Sequence, residues 1–154
     1  MKLKDKRQLL KYLKSQNLMT LATSVDKPWV ATVYFVNDED LNLYFVSSTQ
    51  SKHCRDIAKN SKVACAIYDS RTLNSEKKVG VQLQGIASIV TSWRRIKVLI
   101  DMWNKAAPGA EDIINFKNLK SKVVGSKMYR VKPIYIKFFN EKLFGTDGVR
   151  EYEL

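Results

Sequence analysis

With 154 residues, 45% of them hydrophobic and 10% aromatic, the chain can bury about two thirds of the surface its unfolded form exposes, and it lies far from the composition of disordered proteins. A formal charge of +12 attracts phosphate-bearing partners of any kind, yet the cations are spread over Lys2 to Lys14, Arg94 to Lys105 and Lys117 to Lys142 rather than gathered in one motif, so most of this charge is read as solvated surface. Cys54 and Cys65 form no CxxC pair and suggest neither a disulfide framework nor a zinc site, and no apolar run approaches the roughly 20 residues of a membrane span; one cytoplasmic domain over residues 1–154, with reduced thiols and no membrane partner, is expected.

From about Lys4 to Ser15, Leu9, Leu10 and Leu13 recur at helical spacing among lysines, which predicts an amphipathic helix lying on a core. Two β-rich runs, Met19 to Val25 and Trp29 to Val36, flank "DKP" and read as a hairpin. "LNLYFVSS" alternates Leu41, Leu43 and Phe45 with Asn42, Tyr44 and Val46, the pattern of a third strand with one buried face. A short helix from Ser51 to about Lys59 and a fourth strand in "SKVACAIYD" follow. The fifth strand, "VGVQLQGIASIV", is long, and Gly85 marks a bulge or a close backbone approach.

"TSWRRIKVLIDMWNKAAPG" then predicts a capped helix with Trp93, Ile96, Ile100 and Trp103 on its packing stripe. A second helix is expected in "AEDIINFKNLK", and a last strand in "KMYRVKPIYIKFFNE", where Pro133 favours an edge or a strand start. The tail "FGTDGVREYEL" is turn-rich and unassigned. Mostly adjacent antiparallel strands, too few for two sandwich layers, favour a mainly β fold, a small barrel with helices packed outside.

The junction "SSTQSKH" gathers anion-holding groups where the third strand ends and a helix begins. A helix start carries unpaired backbone N–H groups and a partial positive charge. Ser47, Ser48, Thr49 and Ser51 add hydroxyls, Lys52 a full charge, and His53 a ring able to take a proton beside a dianion. Either a phosphate is held here or Ser51 simply caps the helix; the stretch alone leaves both open.

The longer segment "LNLYFVSSTQSKHCRDIAKNSKVACAIYD" resembles the central signature of the pyridoxamine 5'-phosphate oxidase-like, FMN-binding split-barrel family. Ser47, Ser51, Lys52, His53, Ile57, Asn60 and Val63 fall on its positions in order. "PWVATVYFV" resembles the strand that borders the flavin ring, and "IKFFNEKLFG" the closing strand of a small bacterial branch. The resemblance covers roughly Leu18 to Val90 and implies an antiparallel split barrel that dimerises, with FMN in clefts between subunits. It implies that Lys52 pairs the phosphate, that His53, Ser47 and Ser51 assist, and that Thr32 and Val33 reach the ring's polar edge through their backbone.

Departures from the pattern limit the reading. His53 stands where most members have Lys, "NSK" where most have Asn-Pro, and a substrate-binding Arg/His motif is missing from the tail, which speaks against pyridoxamine phosphate oxidation itself. A flavin-contacting Gln aligns on Gly80, leaving Gln82 or Gln84 as substitutes. No residue stands out as catalytic. With one histidine a multi-His metal site is ruled out, and a Cys54–His53 nucleophile is not expected because neighbouring helical residues diverge. An FMN-dependent oxidoreductase of unknown substrate is the leading expectation, with haem or a deazaflavin as other cofactors of this fold. The alternative is a non-catalytic binding module that uses its basic surface for nucleic acid or a phosphorylated metabolite.

Overall fold

A computed structural model describes residues 1–73, 75–106, 125–146 and 148–154; the helix expected in "AEDIINFKNLK" lies outside them. Helix α1 (Leu3–Lys14) buries Leu9, Leu10 and Leu13, the stripe that the spacing predicts. Each such side chain contributes about 1.5–3 kcal/mol by leaving water. β1 (Leu18–Ser24) and β2 (Pro28–Tyr34) form the expected hairpin, with Pro28 opening β2 opposite Ser24. The run to Val36 is not one strand: the Phe35 N–H donates to Asn17, and a two-residue β3 (Val36–Asn37) pairs instead with β4 (Leu43–Ser48).

Helix α2 (Lys52–Lys59) and β5 (Lys62–Tyr68) fall where the sequence places them. β6 (Val79–Ile89) runs for 11 residues and shifts register between Gln84 and Gly85. A Cβ on Gly85 would sit 2.7 Å from the Lys132 carbonyl oxygen, so the glycine permits both the bulge and the close approach. α3 (Trp93–Ala106) buries Ile96, Leu99, Ile100 and Trp103, whereas Trp93, expected on the same stripe, is exposed. β7 (Ser126–Asn140), a four-residue α4 (Glu141–Phe144) and β8 (Val149–Glu153) complete the chain. The tail thus supplies a strand that its turn-rich composition does not announce.

Among the described residues, eight antiparallel strands, two more than expected, form one sheet in the order β2-β1-β5-β6-β7-β4-β3, with β8 also on β7. The sheet curls into a half-barrel, and β2 approaches β4 across its open side. Pro133 lies inside β7 rather than at a strand start, but it has a locally free edge: it falls between the stretch paired with β4, which ends at Val131, and the stretch paired with β8, which begins at Tyr135, and it faces Gly85 beside the bulge at Ile134. A proline is tolerated there because neither β4 nor β8 pairs with it and the bulge interrupts the ladder on the other side. Met19, Leu21, Val63, Cys65, Ile67, Val81, Leu83, Ile136 and Phe138 line the concave core. α1 closes one end, where Tyr12 donates to the Val79 carbonyl at 3.0 Å, and α2 packs at the other end of β1. β4 is covered on both faces, so Leu43, Tyr44 and Phe45 are all buried, and the single buried face expected for this strand is corrected. No helix among the described residues is long and apolar enough to cross a membrane.

Candidate functional site

The end of β4 and the start of α2 bring Ser47, Ser51 and His53 together, while Lys52, in the same first turn, is directed elsewhere. Ser51 occupies the N-cap position with extended backbone, but its hydroxyl makes no capping bond. It donates to the Ser48 carbonyl at 2.8 Å and lies 3.3 Å from Ser47 Oγ and 3.2 Å from His53 Nε2. Ser47 Oγ is 2.8 Å from the same ring nitrogen. Of the two roles open to Ser51, capping is the one its geometry does not perform.

His53 is buried against Phe45, with ring centroids 6.2 Å apart, and Phe45 stacks on Tyr129 at 5.1 Å. Burial pushes the Cys54 thiol up, but the polar groups of the neighbouring His53, Ser51, Tyr129 and Ser47 outweigh it and bring the pKa from 9.0 down to about 7. Cys65, in contrast, is a core thiol that burial pushes up to about 12. Cys54 is only 3% exposed, so the arrangement anchors α2 rather than presenting a nucleophile.

Lys52 faces the other way, toward the edge strand β2. Its Nζ lies 5.7 Å from the centre of the Trp29 ring and donates to both oxygens of Asp56, at 3.1 and 2.8 Å. Asp56, one helical turn on, is buried and also accepts from Thr23 at 3.0 Å. Hydrogen bonds from Lys52 hold its carboxyl below the ordinary 3.8 against the opposing effect of burial. The cation expected to meet a phosphate is therefore already paired. The spacing of Lys52 and Asp56, four apart on a helix, carried that signal in the sequence.

The remaining expected residues lie elsewhere. Thr32, Gln82 and Gln84 are exposed on the outer face of the sheet, in two rows: Thr32–Thr20–Ala66–Gln82 and Val30–Ala22–Ala64–Gln84. Three strand spacings, about 14 Å, separate Thr32 from Gln82. Val33 points into the core, so only its backbone is available to a ligand. Gly80 has no room for a side chain, because a Cβ there would lie 2.6 Å from the Phe139 ring. One chain thus assembles Ser47, Ser51 and His53, turns Lys52 toward Asp56 and Trp29, and leaves Gln82 and Gln84 on β6, two strands from β4 and three from β2.

A half-barrel of antiparallel strands, with hydroxyl and basic groups opening the helix after β4, matches the family whose description is Pyridoxamine 5'-phosphate oxidase. Its family model matches residues 6–124, and the chain belongs to that family. A UPF0306 protein of Pasteurella multocida is 34% identical over 64 residues, 40% of this chain and 43% of that one. A heme binding protein from Mycobacterium smegmatis superposes with a TM-score of 0.75 at 16% identity, covering 99% of this chain and 59% of that one. ChuZ of Campylobacter jejuni superposes with a TM-score of 0.77 at 16% identity, covering 99% and 61%. The matches span less than two thirds of each of these relatives, and at these identities the two superpositions establish the fold.

Proposed function

We propose that the chain is an FMN-binding flavoprotein, an oxidoreductase of unidentified substrate that works as a homodimer. The observation that carries the reading is the start of α2, where the helix is left uncapped by its own Ser51 while Ser47, Ser51 and His53 cluster on one side of its first turn and Lys52 flanks the other. A phosphate there meets main-chain N–H groups, hydroxyls and a lysine, a donor set suited to a dianion. To engage it, Lys52 exchanges part of its contact with Asp56 for the phosphate, so the ion pair sets the cost of binding.

Two features support the rest. The outer rows Thr32–Thr20–Ala66–Gln82 and Val30–Ala22–Ala64–Gln84 are uncharged in a chain of net charge +12, and small flat positions of this kind suit a second copy. In such a pair the partner brings its own outer face toward the site that one chain leaves incomplete. The one histidine of the chain is buried, with its Nε2 held by Ser47 and Ser51, which favours a flavin over a haem needing an axial imidazole. Bound FMN supplies hydride or electron transfer, and the protein supplies position and electrostatics.

Titration with FMN and with riboflavin, followed by flavin fluorescence, tests the phosphate grip. FMN is expected to bind at least about tenfold more tightly than riboflavin, the worth of one or two charge-assisted hydrogen bonds. Equal affinities, or no binding of either, would remove the reading. Native mass spectrometry should give twice the mass of one chain.

A further inference from the structure

The convex side of the sheet, beneath α3, holds a charge that no acid among the described residues answers. Arg130 of β7 stands between Tyr44 of β4 and Ser88 of β6 in the strand register. Its Nε is buried and has no hydrogen-bond partner, and no acid among the described residues pairs with it. Arg95, in the first turn of α3, lies with its guanidinium 5.5 Å from the centre of the Tyr44 ring and donates to the Tyr44 hydroxyl and, at 2.9 Å, to Asp38.

Asp38 has nothing left to offer Arg130. Its carboxylate already accepts from the Asp40 and Asn42 backbones, the Asn42 amide, the Tyr44 hydroxyl and Arg95. Arg95 and Arg130, with the hydroxyl residues Ser88, Thr91 and Ser92, line one cavity of about 200 Å³. A guanidinium stays charged at any ordinary pH and carries five donors. Burying part of one without an acceptor, beside a second arginine, is costly unless an anion completes the site. Two guanidinium groups and three hydroxyls offer more donors than a planar carboxylate has lone-pair positions to accept, and the cavity is small.

We propose that this cavity binds a phosphate group through Arg130 and Arg95, in a site separate from the one at the start of α2. The two sites lie on opposite faces of β4, so this one stands or falls independently of the flavin reading. The ligand is either free phosphate or the phosphate end of a small ester whose remainder stays outside the cavity.

The test follows thermal unfolding of the full chain in rising inorganic phosphate, against sodium chloride of matched ionic strength. Phosphate is expected to raise the melting temperature with a saturable dependence that chloride does not reproduce. Arg130→Met should abolish the response while melting no lower than the wild type in phosphate-free buffer, since it removes an unanswered charge. Arg130→Lys keeps the charge without the fork and should weaken the response by about tenfold or more; it also serves if Arg130→Met does not fold. Lys52→Gln should retain a saturable response. A parallel titration with glycerol 3-phosphate assigns the source: a response lost in Arg130→Met means that an ester is admitted, and no response means that the free anion is the ligand. A wild type indifferent to phosphate, a chloride effect of equal size, or Arg130 variants that respond like the wild type would overturn the proposal.

Discussion

Two cationic sites lie back to back across β4, and they differ in what surrounds the cation. On the concave side, Phe45 and Ser47 face α2, where Lys52 is held by a buried Asp56 that Thr23 also supports. On the convex side, Tyr44 faces α3, where Asp38 satisfies Arg95 but not Arg130. A net charge of +12 does not say which cations are available. Availability is decided locally, by an acid one helical turn away in one case and by an acid already saturated in the other. An anion at Lys52 competes with a resident carboxylate; an anion at Arg130 meets no competitor among the described residues.

The largest change should come from removing the wall that backs the concave site. Phe45→Ala, at a fully buried position, is expected to cost about 3–5 kcal/mol in denaturant unfolding and to loosen α2. A stability loss below about 1 kcal/mol would mean that α2 does not rest on this ring. Lys52→Glu places a second carboxylate beside Asp56 and should weaken FMN binding by at least about tenfold, with the phosphate response assigned to Arg130 preserved. An unchanged affinity would show that Lys52 never leaves Asp56.

Tyr44→Phe probes the convex side alone. Removing the hydroxyl that joins Asp38 to Arg95 should cost about 0.5–1.5 kcal/mol without altering flavin affinity; a change in flavin binding would show that the two faces of β4 are coupled. The smallest effect concerns pH. Asp56 titrates below its ordinary 3.8 in the folded chain, so its contribution is fully present above that value and is lost as the pH falls below it. Acid unfolding of Asp56→Asn should therefore start from a lower stability and show a shallower loss over that range. Parallel acid limbs would place the depressed pKa elsewhere.

The parts of the fold set by local pattern were legible in the sequence. The α1 stripe, the β1–β2 hairpin, the bulge at Gly85 and the order of groups from Ser47 to His53 all follow from spacing and turn chemistry. What could not be read depended on contacts distant in sequence. β4 is buried on both faces because α3 covers the convex side, which a period-two pattern cannot announce. Pro133 sits inside the sheet because β4 and β8 leave a gap along β7, and β8 itself comes from a tail rich in turn residues. The unmet charge of Arg130 appears only when β6, β7 and α3 meet, whereas the pairing of Lys52 with Asp56 was visible as a helical repeat.

The visible absorption spectrum of the purified protein, recorded before and after adding FMN and compared with Lys52→Glu, is the most direct test of a flavin held at the start of α2. Flavin bands carried by the wild type and lost from the variant are the expected result. A colourless wild type that leaves added FMN free, or a haem spectrum in place of the flavin one, would contradict it.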